Sequence, residues 1–124
     1  AQLLPWPGNP SSRLLLALAP GAERDALMRQ MTPVRYTPKT VATFAGLKRA
    51  LEQIRRDGYA LGEEERDEGV SGVSAPVYSL GEARYCIGIA APSFRLKGER
   101  LQAVVRAVRA GATRLSERLR DTEQ

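Results

Sequence analysis

Two periods of apolar residues divide the chain, one of three to four positions and one of two, and each predicts its own kind of element. Leu101, Val104, Val105, Val108, Ala112, Leu115 and Leu119 form one stripe along a segment from Leu96 to Arg120, which reads as a long amphipathic helix. Phe44, Leu47, Leu51 and Ile54 form a second stripe, with Thr43 as its cap and Gly58 where a left-handed stop belongs. Near the start, SSRLLLALA follows Asn9, a good N-cap, and Pro10, a good first helical residue. This short helix is apolar nearly all round and is therefore expected to be buried, ending before Pro20. Gly21 separates it from AERDALMRQM, a surface helix with a stripe of Ala22, Ala26, Leu27 and Met31. Thr32 to Thr40 reads as a connection, because Pro33 and Pro38 forbid a continuous helix, with Tyr36 as its anchor. Ala1 to Gly8, with Trp6 between two prolines, reads as extended or irregular chain, and Asp121 to Gln124 as a frayed end.

The period of two appears after Gly58. Tyr59 to Leu61 suggests a short strand, and Val70 to Tyr78 and Arg84 to Ala91 suggest a pair joined at SLGE, with Gly81 as the turn residue. Odd positions are bulky (Val73, Val77, Tyr85, Ile87, Ile89), and even positions are mostly small (Gly72, Ser74, Cys86, Gly88, Ala90). A register pairing even with even, such as Ser74 opposite Gly88, keeps the two sets on separate faces, whereas a slip of one residue mixes them. Pro76 cannot donate to a ladder, so a free edge or a bulge is expected near it. The long terminal helix should lie across the bulky face. The small face has two explanations that the pattern leaves open: a helix packed at close range, or a cavity for a small ligand.

Composition narrows the chemistry. The 124 residues suit one domain, residues 1–124, and no apolar run is long enough to span a membrane. There is no histidine, and Cys86 is the single cysteine, which removes disulfides, common zinc sites and every histidine-dependent catalytic scheme. Cys86 has no visible base to lower its pKa and reads as a small apolar residue, so no catalytic residue is assigned. The net charge is +5, and Lys97 to Arg120 holds seven basic residues against Glu99 and Glu117. Without interleaved aromatics, that segment reads as a solvated face, or one meeting the acidic run, and not as a nucleic-acid surface. The acidic run, Glu63, Glu64, Glu65, Asp67 and Glu68, lacks the alternating spacing and turn glycine of a calcium loop. It reads as a solvated or interface-forming turn, and no metal or cofactor is expected.

The motifs YTPKT (Tyr36 to Thr40), ALEQIRRDGYAL within Leu47 to Leu61, EE...GVSGVSAPVY (Glu64 to Tyr78), AAP (Ala90 to Pro92) and ATRLSERL (Ala112 to Leu119) resemble the C-terminal effector-binding domain of IclR-type transcriptional regulators. SSRLLLALAP fits that family's small-residue helix ending in Pro. The resemblance implies an α/β (α+β) fold, a curved, mainly antiparallel sheet flanked by helices, of GAF/profilin-like type and partly truncated at its N-terminus. It implies a cytoplasmic regulator, a small-molecule metabolite as partner, and a homo-dimer or tetramer. DNA would be met only through an N-terminal domain absent from this chain, and an exposed strand edge could pair with a second copy. The family's pocket maps onto Ser11, Val70, Gly72, Ser74, Cys86, Gly88 and Ala90. The family often has Asp at the place of Gly62, Cys at Gly72, Ser at Gly88 and Ala90, and His at Pro7. Without those polar groups, the resemblance implies a roomier, less polar cavity that favours an aromatic or larger organic acid. The alternative is a structural oligomerisation domain with a decayed pocket.

Overall fold

Local sequence signals start and stop the helices in the computed structural model, which describes residues 4–123. Helix α1 (Pro10–Leu18) is capped by Asn9, whose extended backbone lets its Oδ1 accept the Ser12 N–H at 2.9 Å. Helix α3 (Phe44–Asp57) starts at Thr43, whose hydroxyl accepts the Gly46 N–H, and stops at Gly58, where φ is 80°. Between them, α2 (Gly21–Met28) requires a correction. Met28 is the residue it buries, whereas Ala22 is exposed and Met31 lies past the helix end, because the helix closes one turn earlier than its apolar spacing suggested.

Strands β1 (Ala60–Glu63), β2 (Val70–Ser79) and β3 (Glu82–Pro92) form an antiparallel sheet in that order. Ser74 stands opposite Gly88, and Gly72 opposite Ala90, so the even-with-even register holds. Pro76 lies beyond the last β1–β2 pair, Ala60 with Ser74, and a bulge follows between Val77 and Tyr78. A short 3₁₀ turn (Ser93–Arg95) leads into α4 (Gly98–Thr122).

The sheet separates two apolar clusters. On one face Val73, Ala75 and Val77 pack against Val108 and Ala112 of α4. On the other, α1 and α3 bring Leu14, Leu16, Leu47, Leu51 and Ile54 together with Ala60 and Trp6. Each large apolar side chain so buried contributes about 1.5–3 kcal/mol. Trp6, in the irregular segment, is held by its indole N–H donating to the Val41 carbonyl at 2.7 Å and by an edge-on contact with Phe44.

Two further expectations change. The bulky face is only partly covered, because α4 packs chiefly on β2: Tyr85 is 57% exposed, Ile89 42% and Leu115 41%. The C-terminal segment is not frayed through residues 121–123, since α4 continues through Thr122 and Glu123 holds the β2–β3 turn. The Glu123 carboxylate accepts the Ser79 hydroxyl at 2.6 Å and the Leu80 N–H at 3.1 Å, which fixes a turn in which Leu80 has φ 54°. Those hydrogen bonds, the Ser79 hydroxyl first, hold the Glu123 carboxyl below its ordinary value. The readings made for Ala1, Gln2, Leu3 and Gln124 lie outside the described residues.

Candidate functional site

The small face of the sheet is occupied at close range by the first turn of α1. A Cβ on Gly62 would lie 2.7 Å from the Pro10 ring, and one on Gly88 would lie 2.9 Å from the Ser11 hydroxyl. Ser11 donates to the buried Ser74 hydroxyl at 3.0 Å, and Ser74 donates to the Ile87 carbonyl. The small residues thus let a helix approach. They also leave space beside it, so both explanations of the pattern apply, to adjacent parts of one face.

That space is a pocket of about 490 Å³ at the N-terminal end of α1, open to solvent along Gly88, Ile89 and Ala90. Of the residues expected to line it, Ser11, Val70, Gly72, Cys86, Gly88 and Ala90 do so. Ser74 does not, because it is fully buried beneath Ser11. The Pro10 ring covers Gly62, so a larger side chain at that position would have no room.

The pocket is more polar than its floor suggested, because the acidic run supplies a wall containing Glu65, Arg66 and Asp67. Two carboxylates of that run, read from sequence as a solvated or interface-forming turn, are tied into the chain's own structure. Arg13, only 3% exposed inside the leucine-rich helix, makes a two-pronged ion pair with Glu65, both N···O distances being 2.9 Å, and also donates to the Leu61 carbonyl. Glu64 accepts the Gly69 N–H at 2.6 Å and pairs with Lys39 at 3.2 Å, and these contacts, Gly69 first, hold its carboxyl below its ordinary value. Lys39 is held above its ordinary value, chiefly by its hydrogen bond to Glu64. The YTPKT connection clamps the backbone of this wall: Thr37 donates to the Glu64 carbonyl at 2.6 Å, and Thr40 to the Glu65 carbonyl at 2.7 Å. The basic residues of α4 form no ion pair with the acidic run among the described residues.

Arg13, Glu65, Arg66 and the two threonines escaped the sequence reading. The available signal was an arginine on the inward stripe of an otherwise apolar helix, because a buried guanidinium requires a carboxylate partner. Chemically, the site offers backbone, hydroxyl and charged groups around an open floor. Cys86 is half-buried on that floor beside apolar neighbours. Among the described residues, no cluster of His, Cys, Asp or Glu is placed to hold a metal ion, and no helix is long and apolar enough to cross a membrane.

A three-stranded antiparallel sheet between helix layers, with an open pocket at a helix N-terminus, defines an α+β domain. Residues 8–117 match the family model described as bacterial transcriptional regulator IclR C-terminal, and the chain belongs to that family. It is 38% identical over 105 residues to the HTH-type transcriptional regulator BhcR of Paracoccus denitrificans, covering 84% of this chain and 38% of BhcR. A putative transcriptional regulator from Rhodococcus sp. superposes with a TM-score of 0.88 at 26% identity, covering 94% of this chain and 48% of that one. The PobR inducer-binding domain from Acinetobacter, a double mutant in complex with 3-hydroxybenzoic acid, has the same fold, with a TM-score of 0.80 at 21% identity over 88% of this chain and 63% of that one. The chain spans well under half of the length of BhcR. These relatives are transcriptional regulators, not enzymes.

Proposed function

We propose that residues 1–124 act as the small-molecule effector-binding and oligomerisation domain of an IclR-type DNA-binding regulator. On this reading DNA is met only through an N-terminal domain outside this chain, and the regulator is cytoplasmic. The observation that carries the proposal is the open pocket of about 490 Å³ over a floor of small residues, Gly72, Cys86, Gly88 and Ala90. Its volume lies within the range of about 300–1,000 Å³ that small-ligand sites occupy. The PobR domain, of the same fold, is in complex with an aromatic acid, which supports an aromatic or larger organic acid as the ligand class. Binding would act by favouring one arrangement of a homo-dimer or tetramer, which requires different affinities for the two states.

The test is a thermal-shift screen against aromatic and aliphatic acids, because a ligand that binds only the folded chain raises Tm by mass action. Ala90→Leu fills the pocket from an exposed position and should abolish the shift while leaving the unliganded Tm unchanged. No shift across the panel would sink the reading. A second reading, an oligomerisation domain with a decayed pocket, draws on two observations: the cover that the first turn of α1 gives to Gly62 and Gly88, and the edge of β3, which meets no further strand among the described residues. It predicts that Ala90→Leu changes nothing.

A further inference from the structure

The pocket wall carries three charges, Glu65, Arg66 and Asp67, and the first of them is committed elsewhere. Glu65 is saturated by the two prongs of Arg13, and its Oε2 also accepts the Glu63 N–H. Glu64 is engaged by Gly69 and Lys39. Arg66 differs. It lines the pocket, its side chain is half-exposed, and among the described residues its guanidinium makes no hydrogen bond, meeting only Asp67 at 3.8 Å. An arginine has five N–H donors in a planar fork suited to a carboxylate, and apart from the long contact with Asp67 the donors of this one are uncommitted among the described residues.

Its placement is built in. The guanidinium lies 4.2 Å above the centre of the Tyr36 ring. That ring is fixed, because the Tyr36 hydroxyl donates to the Trp6 carbonyl at 2.7 Å. The Arg66 backbone follows directly on carbonyls held by Thr37 and Thr40. Gly8 completes the seat: a Cβ there would lie 2.7 Å from the Tyr36 ring and 3.0 Å from the Arg66 Cδ, so only a glycine lets the ring and the arginine stem lie against the backbone. Gly8 itself lines the pocket beside Arg66.

We infer that Arg66, seated on Tyr36 and Gly8, is the specificity-determining residue that selects an effector bearing an anionic group over its neutral counterpart. The inference rests on the effector-pocket reading and adds a residue and a charge preference to it. The exposed stack on Tyr36 is a weak tether, so the fork can turn toward a carboxylate in the pocket without breaking a hydrogen bond. Sequence alone suggested that the pocket had lost its polar grip. The structure assigns that grip to a residue of the acidic run, whose local charge concealed the one available cation.

The experiment uses the 124-residue chain and three probe pairs: benzoate with benzamide, 3-hydroxybenzoate with 3-hydroxybenzamide, and valerate with valeramide. Binding is measured by calorimetry for the wild type, Arg66→Ala and Arg66→Lys, with unliganded Tm as the folding check. The expected result is that the wild type prefers an acid to its amide. Arg66→Ala should then weaken that acid by about ten- to a hundredfold, the range for a lost charge-assisted hydrogen bond, and leave the amide within about threefold. Arg66→Lys should fall between. If Arg66→Ala weakens acid and amide alike, or neither, the role of Arg66 is overturned and the pocket stands. If the wild type favours the amides, the role is overturned as well. If it binds no probe, the effector-pocket reading and this inference fall together.

Discussion

Arg13 sits in a run of leucines, where a charge is normally excluded, and its guanidinium is almost wholly withdrawn from water. It is tolerated because Glu65 meets it with two hydrogen bonds and the Leu61 carbonyl with a third. Removing one partner of such a pair leaves an unmatched buried charge, so Glu65→Ala should destabilise the chain by about 3–5 kcal/mol in urea denaturation. Arg13→Met, which replaces the charge with an apolar stem, should cost less than Glu65→Ala does. The same residue marks what the sequence left unread. The sequence reading passed over Arg13 although its helical spacing carried the signal; even with that signal read, five carboxylates were available in the acidic run, and only the folded chain selects Glu65. Ser74 shows the converse: its place in the register was legible, yet the seating of Ser11 above it takes it out of the pocket wall.

At the scale of elements, the connection from β1 to β2 is the least regular part of the chain and among its most tightly tied. Glu64 adopts φ 53°, an uncommon conformation for a side-chain-bearing residue, and four neighbours, Thr37, Lys39, Gly69 and Val70, hold it there. Because contacts made only in the folded state hold the Glu64 carboxyl below its ordinary value near 4.5, the unfolded chain takes up the proton first as pH falls. The stability it contributes is therefore complete above about pH 4.5 and is lost as pH falls through the lowered folded value. Glu123, lowered by the Ser79 hydroxyl and the Leu80 N–H, acts in the same direction. Melting temperature should decline on this acid limb, and Glu64→Gln should flatten it. Melting curves from about pH 6 to about pH 2 provide the check. A limb of unchanged steepness would mean that these contacts contribute little. The effect should shrink in salt, since the Lys39 pair is exposed.

For the molecule as a whole, the notable feature is that β3 is a long edge strand. It has β2 on one side and no strand on the other among the described residues, and Tyr85 and Ile89 stand half-open on its α4 side. Such an edge is a template for a further strand. A second copy of the chain pairing there would make the observed mass in sedimentation rise with concentration above the 13.6 kDa of one chain. Ile89→Glu, which puts a charge on that half-open face, should shift the equilibrium back toward the single chain. A wild type that stays monomeric at all concentrations would rule out this mode of assembly.

The sequence by itself determined the elements and their register: caps at Asn9 and Thr43, the stop at Gly58, the stripe of α4, and the pairing of Ser74 with Gly88. These are set by interactions between residues close in the chain and by a period of two that tolerates no slip. It also determined which face of the sheet carries small residues, because that is a property of the pattern, whereas the expectation of a pocket there came from the family resemblance. Only the tertiary structure decided how that face is shared, with the first turn of α1 over Gly62 and Gly88 and open space over Ala90. It alone decided that the wall comes from the acidic run, with Glu65 paired to Arg13 and Arg66 seated on Tyr36. The reason is physical. Charges partner across the fold according to distance and burial, and neither quantity is written in the order of residues along the chain.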